Sequence, residues 1–276
     1  MNWALIGILY VVGFAAIASS VDDRARLIVG NIALLIPPLF TVAVIATRLR
    51  DWRGRQRLFW ITIATGAALW FIGQVAWANE ELGHSNLLPW FRWFIVVQLC
   101  ASALPLIALV AVPHRGPRSE TAATAAIDVC ALACLTAFLY WSLIIAPGMA
   151  PGRSTLALRT LATLGPLVRL SAAAGLLWFA WAAGDSPWAQ PYRRLAAGML
   201  LAFGILIVLS MLAVQGDYRT GSPASIGWML PFWFSAWAAA TAPASTWRRP
   251  GGRPTAPASP HVPTSPAPAR RCPTAA

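Results

Sequence analysis

The chain has 276 residues, of which 58% are hydrophobic and only 11% charged. A soluble domain carries about 25% charged residues, so a water-covered globular surface is excluded. The net charge is +12 and all 21 basic residues are arginine. These arginines sit mainly in short segments between apolar runs, where they orient helices, so nucleic acid is not an expected partner.

Eight apolar windows follow one another: Trp3–Ala18, Leu27–Thr47, Leu58–Trp77, Trp93–Val112, Ala125–Ile145, Leu161–Ala183, Leu195–Val214 and Ile226–Ala244. A hydrocarbon core about 30 Å thick needs about 20 such residues per helix. A membrane barrel would alternate polar and apolar residues, which these windows do not. The first window has no basic residue before it, and Asp22 and Asp23 follow it. It reads as a retained span rather than a cleaved signal.

Arginine counts set the expected orientation. The second-to-third, fourth-to-fifth and sixth-to-seventh connections plus the tail hold 14 arginines, and the opposite side holds 6. The positive-inside rule then places both termini in the cytoplasm. Lys-free, Ala/Arg/Pro-rich usage suggests a GC-rich bacterial genome, so the expected location is a bacterial inner membrane. Trp60, Trp77, Trp90, Trp93, Trp188, Tyr192, Trp228 and Trp247 lie near window ends and read as an aromatic belt. Alternate windows carry Pro37 and Pro38, Pro105, Pro166 and Pro231. Proline removes a backbone bond and can kink a helix, but it is common in transmembrane helices and reads as tolerated; its recurrence in alternate windows hints at repeated helical hairpins. From Ser245 to Ala276 the chain is rich in Pro, Ala, Ser, Thr and Arg, and reads as a disordered cytoplasmic tail. Residues 1–244 are thus expected to form the transmembrane domain and 245–276 the tail.

Little in the sequence points to chemistry. There is no Walker loop, GxGxxG, HExxH or GxSxG, and the three histidines lie outside the windows. No C-x-x-C pair occurs; Cys130 and Cys134 share a helix face as small packing residues. No catalytic residue, metal or cofactor is expected. Asp128, near the inner end of the fifth window, reads as a helix cap or a partner of interfacial arginines.

Polar residues within windows are costly and mark candidate sites. Arg169 is expected roughly 12 Å below the outer end of the sixth window, at about 1.5 Å per residue. Gln74 and Gln98 fall in the same outer half, below Asn79, Glu80, Glu81 and His84 in an external loop. Gln74, Glu80, Glu81, Gln98 and Arg169 therefore form the candidate ligand site, an outward vestibule for a small ligand or headgroup. The plain alternative is that Arg169 snorkels outward and the glutamines bond neighbouring helices.

Two stretches carry a resemblance. WFIGQVAWANEE (Trp70–Glu81) has the form W-x-x-G-Q-x-x-W-x-x-x-E, and Gly216–Pro243 holds Y-x-x-G-S followed by G-W-x-L-P. Both resemble the multi-span input regions at the N-termini of bacterial sensor histidine kinases and GGDEF/EAL cyclic-di-GMP proteins. The resemblance implies a membrane sensory module that passes signals to a cytoplasmic kinase or cyclase domain. Its implied partners are the bilayer, such an output domain and a second copy of the chain. After Thr246 no phosphoacceptor helix, ATP-binding region or GGDEF sequence follows, so no catalytic activity is carried over. The chain is then either a truncated or frameshifted input half or a free-standing module. The competing reading is a small-solute transporter.

The expectation is an all-α bundle of eight spans with cytoplasmic ends.

Overall fold

The structure, a computed structural model, describes residues 3–83, 88–111, 113, 127, 131, 134–135, 138, 156–215, 220–222 and 225–244. Most of the expected fifth span, with Asp128, and the whole expected tail lie outside the described residues. Among the described residues there are seven α-helices and no strand. They are α1 (Trp3–Ser20), α2 (Asp23–Arg48), α3 (Gly54–Gly83), α4 (Leu88–Ala108, ending in the 3-10 turn Leu109–Ala111), α5 (Leu156–Ala182), α6 (Ala189–Gln215) and α7 (Ile226–Thr241).

Four helical stretches are long and apolar enough to cross a membrane: Asp23–Arg48, Gly54–Gly83, Leu164–Ala182 and Ala189–Val208. Leu5–Ser20 and Val96–Ala111 are shorter apolar helices. The outer surface agrees with a lipid environment. Ile28, Ile32, Ile36 and Leu39 form one exposed stripe on α2, and Leu5, Ile8, Leu9 and Val12 stand exposed on α1. Apolar surface on this scale would be a liability in water and is ordinary against lipid tails. The chain is a helical membrane protein.

The helices close into a ring. Each of α2 to α7 packs against the next, and α7 returns to α2. α1 lies outside, against α2 and α7. At one end a single cluster gathers Trp52, Phe59, Ala111, Phe179, Tyr192 and Ala242. The ends of α2, α4, α5 and α7 and the starts of α3 and α6 therefore lie together. α4 and α5 run parallel.

Within that cluster Trp52 stacks on Trp60 at 5.1 Å, and Phe59 meets Tyr192 edge-on at 6.1 Å. Trp60, Trp188 and Tyr192 are thus core residues rather than members of a lipid-facing belt. Their nearness to window ends misled because they sit on the inward face of those ends. The side chains of Trp90, Trp93 and Trp247 lie outside the described residues.

α3 also runs further than its apolar window. Asn79, Glu80 and Glu81 are its last turns and not an external loop. They contain no helix breaker, and the helix ends at Gly83. Likewise Arg193 and Arg194 lie near the start of α6, where Arg194 covers Trp237 at 4.3 Å and donates to the Thr241 hydroxyl.

The prolines explain several interhelical bonds. Pro37 has no N–H, so the carbonyl of Ala33, four residues earlier, loses its helical donor. The Tyr10 hydroxyl of α1 donates to that carbonyl at 2.6 Å. Pro105 orphans the Ala101 carbonyl in the same way. There Gly66 of α3 comes so close that an added Cβ would stand 3.2 Å from that oxygen. The Thr41 hydroxyl lies 2.9 Å from the Pro37 carbonyl and 2.8 Å from the Phe232 carbonyl, joining α2 to α7. At the helix ends, Arg48 donates to the Ala239 and Ala240 carbonyls of α7's last turn. The Trp52 indole donates to the Pro243 carbonyl at 3.2 Å.

Tyr10→Phe should destabilise the folded bundle by about 0.5–1.5 kcal/mol, the range for interhelical bonds in membranes. In a Pro37→Ala background residue 37 can itself donate to Ala33, so the same change should cost less. Thermal unfolding of the four proteins of this cycle checks it; strict additivity would show the Tyr10 bond is not answering the proline.

Candidate functional site

Arg169 stands at the middle of α5, thirteen residues from Leu156 and thirteen from Ala182. It is only 7% exposed. It does not snorkel. Its guanidinium carbon lies 5.1 Å from the Trp70 ring centroid and 5.8 Å from that of Trp228. The two indoles are themselves 5.0 Å apart. Among the described residues the ion pairs are Arg26–Asp23 and Arg48–Asp51, and none involves Arg169. No hydrogen-bond acceptor in the described residues meets it.

The guanidinium faces a cavity whose room for the centres of water-sized molecules is about 50 Å³. All six helices of the ring line it: Thr41 from α2, Gly66 and Trp70 from α3, Pro105 from α4, Arg169 from α5, Met199 from α6, and Trp228 and Ser235 from α7. The space exists because small residues face inward at this level. Gly66, Ala67, Ala101 and Ala202 remove side-chain bulk where larger residues would meet. The lining hydroxyls are engaged with backbone: Thr41 as above, and Ser235 with the Pro231 carbonyl at 2.9 Å.

Gln74 lies one turn along α3 from Trp70 and is buried, with its side-chain nitrogen lacking a hydrogen-bond partner. Gln98 is buried on α4, one turn before Ser102, whose hydroxyl donates to the Gln98 carbonyl at 2.7 Å. Neither glutamine lines the Arg169 cavity. Glu81 lies further along α3 in a separate polar cluster. Its carboxylate accepts from Asn31 at 2.8 Å and from the Trp77 indole at 3.2 Å. Trp77 also reaches the Thr220 hydroxyl at 3.3 Å. Glu80, the preceding residue of α3, is half-buried. The five expected residues thus divide into a core element at Arg169, two buried glutamines and a cluster at the end of α3. His84 lies outside the described residues.

That end cluster is held by backbone approach. Gly221 has φ +85, and a Cβ on it would collide with the Arg26 carbonyl. A Cβ on Gly30 would stand 2.6 Å from the Gly221 amide nitrogen. Only glycine at both positions lets the turn at 220–222 lie on α2. The segments Trp70–Glu81 and Gly216–Pro243 are therefore neighbours twice, at Trp70–Trp228 and at Trp77–Thr220.

Sequence reading missed the two indoles on Arg169 and the ring's small-residue lining. Trp228 was legible only as an interfacial anchor, because nothing in the spacing tells that it faces α5. Among the described residues no three of His, Cys, Asp and Glu gather as a metal site would require.

Glu81→Ala removes the acceptor shared by Asn31 and Trp77, and should cost about 1–3 kcal/mol by taking the Glu81 acceptor from the buried Asn31 amide. Thermal unfolding checks the loss, which should be partly recovered by Glu81→Gln; an unchanged midpoint for Glu81→Ala would remove the cluster from the account. Compared with models of known protein families, with curated proteins and with solved structures, the chain matches none.

Proposed function

We propose that the chain is the sensory input module of a bacterial signalling system, built as eight spans in the inner membrane with both termini in the cytoplasm. It performs no catalysis itself. It reads a small ligand within the bundle and passes the result to a cytoplasmic kinase or cyclase partner, as a dimer.

The observation that carries this reading is the convergence of six helices on one cavity around a buried arginine that has no ion-pair partner among the described residues. Occupancy of such a cavity acts on every helix of the ring at once, and α7 leads toward the chain's cytoplasmic end. A transporter needs helices broken near their middle around the substrate. α2, α4, α5 and α7 instead run through their prolines as continuous helices. The eight-span reading is supported by the parallel run of α4 and α5. α4 ends where α5 ends, and a helix of α5's 27 residues is about 40 Å long. The start of α5 thus lies at the opposite end of the bundle from the end of α4, which favours one further crossing between them. The orientation rests on the arginine imbalance, because Arg48 and Arg194 lie at the end that gathers the starts of α3 and α6.

Alkaline phosphatase fusions check the topology. Fusions after Asp51, Val112 and Asp185 should be inactive, and those after Gly83 and Leu156 active; the inverse pattern would reverse the protein in the membrane. Flux of small organic anions into proteoliposomes holding the full chain separates module from transporter. The expected flux equals that of empty liposomes, while a cytoplasmic dimerisation reporter fused to the C-terminus changes output on Arg169→Leu. Saturable flux abolished by Arg169→Leu would establish the transporter instead.

A further inference from the structure

We infer that the cavity at Arg169 is a binding site for a small carboxylate carried on an apolar body. The inference deepens the input-module reading and rests on it only for its purpose, not for its chemistry.

The charge comes first. Removing an ion from water is costly even after relaxation. Desolvated cation–π contact with an indole offsets only part of that cost. The Trp70 and Trp228 rings lie at 5.1 and 5.8 Å from the guanidinium carbon, toward the far end of that interaction's range of about 6 Å. Arg169 has no protein carboxylate to neutralise it among the described residues. A guanidinium offers five N–H donors in a planar fork that matches a carboxylate. An anion from outside the protein is the missing partner.

The class of anion follows from the rest of the lining. One cation balances one negative charge, which disfavours phosphate or sulfate dianions. Thr41 and Ser235 already donate to backbone carbonyls, so they offer little to a second polar group. The remaining wall is apolar, including Ile63, Ala67, Pro105, Met199 and Phe232. The ligand's body is therefore apolar and small, set by room of about 50 Å³ for the centres of water-sized molecules. A carboxylate free in solution and the head of a fatty acid drawn from the bilayer present the same group.

The test uses the full chain in lipid nanodiscs and follows its unfolding midpoint during titration. Sodium butyrate is compared with neutral butyramide and, at equal ionic strength, with sodium chloride; oleate tests the lipid source. Butyrate should raise the midpoint saturably, and butyramide and chloride should not. Arg169→Met should abolish the response and raise the ligand-free midpoint, since an unpaired buried charge is replaced by an apolar chain. If that variant does not fold, Ala67→Leu keeps the charge, narrows the cavity, and should weaken butyrate by about tenfold or more. A response to oleate without one to butyrate supports the carboxylate site and assigns its source to lipid. Equal responses to chloride and butyrate, no response to either carboxylate, or unaltered responses in both variants would overturn the inference. Binding without any change in the fused reporter would defeat the input-module reading and leave the site standing. Reporter output that changes while carboxylates do not bind would do the reverse.

Discussion

Inside a bilayer no water is present to satisfy a polar group, so each must find its partner within the protein. This constraint organises the bundle. Where Pro37 withholds a donor from the Ala33 carbonyl, the Tyr10 hydroxyl supplies one from another helix. Thr41 ties α2 to the Phe232 carbonyl of α7. The last carbonyls of α7 are met by Arg48, and Pro243 by the Trp52 indole. Interhelical packing in lipid lacks a hydrophobic drive of its own. These polar ties and the close approaches at Gly30, Gly66 and Gly221 supply the specificity that closes the ring.

Among the described residues Arg169 is a charged exception, and its position gives the exception meaning. It is the most costly kind of group, at the middle of its helix, among indoles and small apolar residues. A structural arginine in this setting would be expected to hold a carboxylate or helix-end carbonyls, as Arg48 does. Glu81 does not serve it; that carboxylate is committed to Asn31 and Trp77. The resulting cavity is contacted by every helix of the ring, so filling it changes the balance of packing on all of them. A ligand shifts a conformational equilibrium only by binding one state better than the other. A buried charge with no acceptor among the described residues does so strongly, because the empty state retains the desolvation penalty.

Helix positions were legible from hydropathy wherever the structure describes the chain, and four of the helical stretches are long and apolar enough to cross a membrane. Apolar run length is a direct consequence of the solvent, and the expected windows match α1 to α7 apart from their ends. Those ends failed where polar helix-formers extend a span, as at Asn79–Glu81 and at Arg193 and Arg194. Arg169, Gln74 and Gln98 were recognisable as costly residues, whereas Glu81 read as part of an external loop. Their grouping was not, because helix rotation decides which residues share a cavity, and a helix that is apolar all round does not reveal its rotation. The tryptophans show this most clearly. Trp60 and Trp188 near helix ends had the signature of interfacial anchors, yet they are buried, and Trp228 faces the guanidinium instead.

The central claim is that Arg169 is a charge awaiting an external anion. An experimental density map of the full chain in lipid nanodiscs with sodium butyrate present tests it most directly. The account predicts non-protein density within about 2.7–2.9 Å of the guanidinium nitrogens, the length of a charge-assisted bond, with the Trp70 and Trp228 rings beside it. Arg169 paired to a carboxylate of the chain itself, or extended to the bilayer surface, would contradict it.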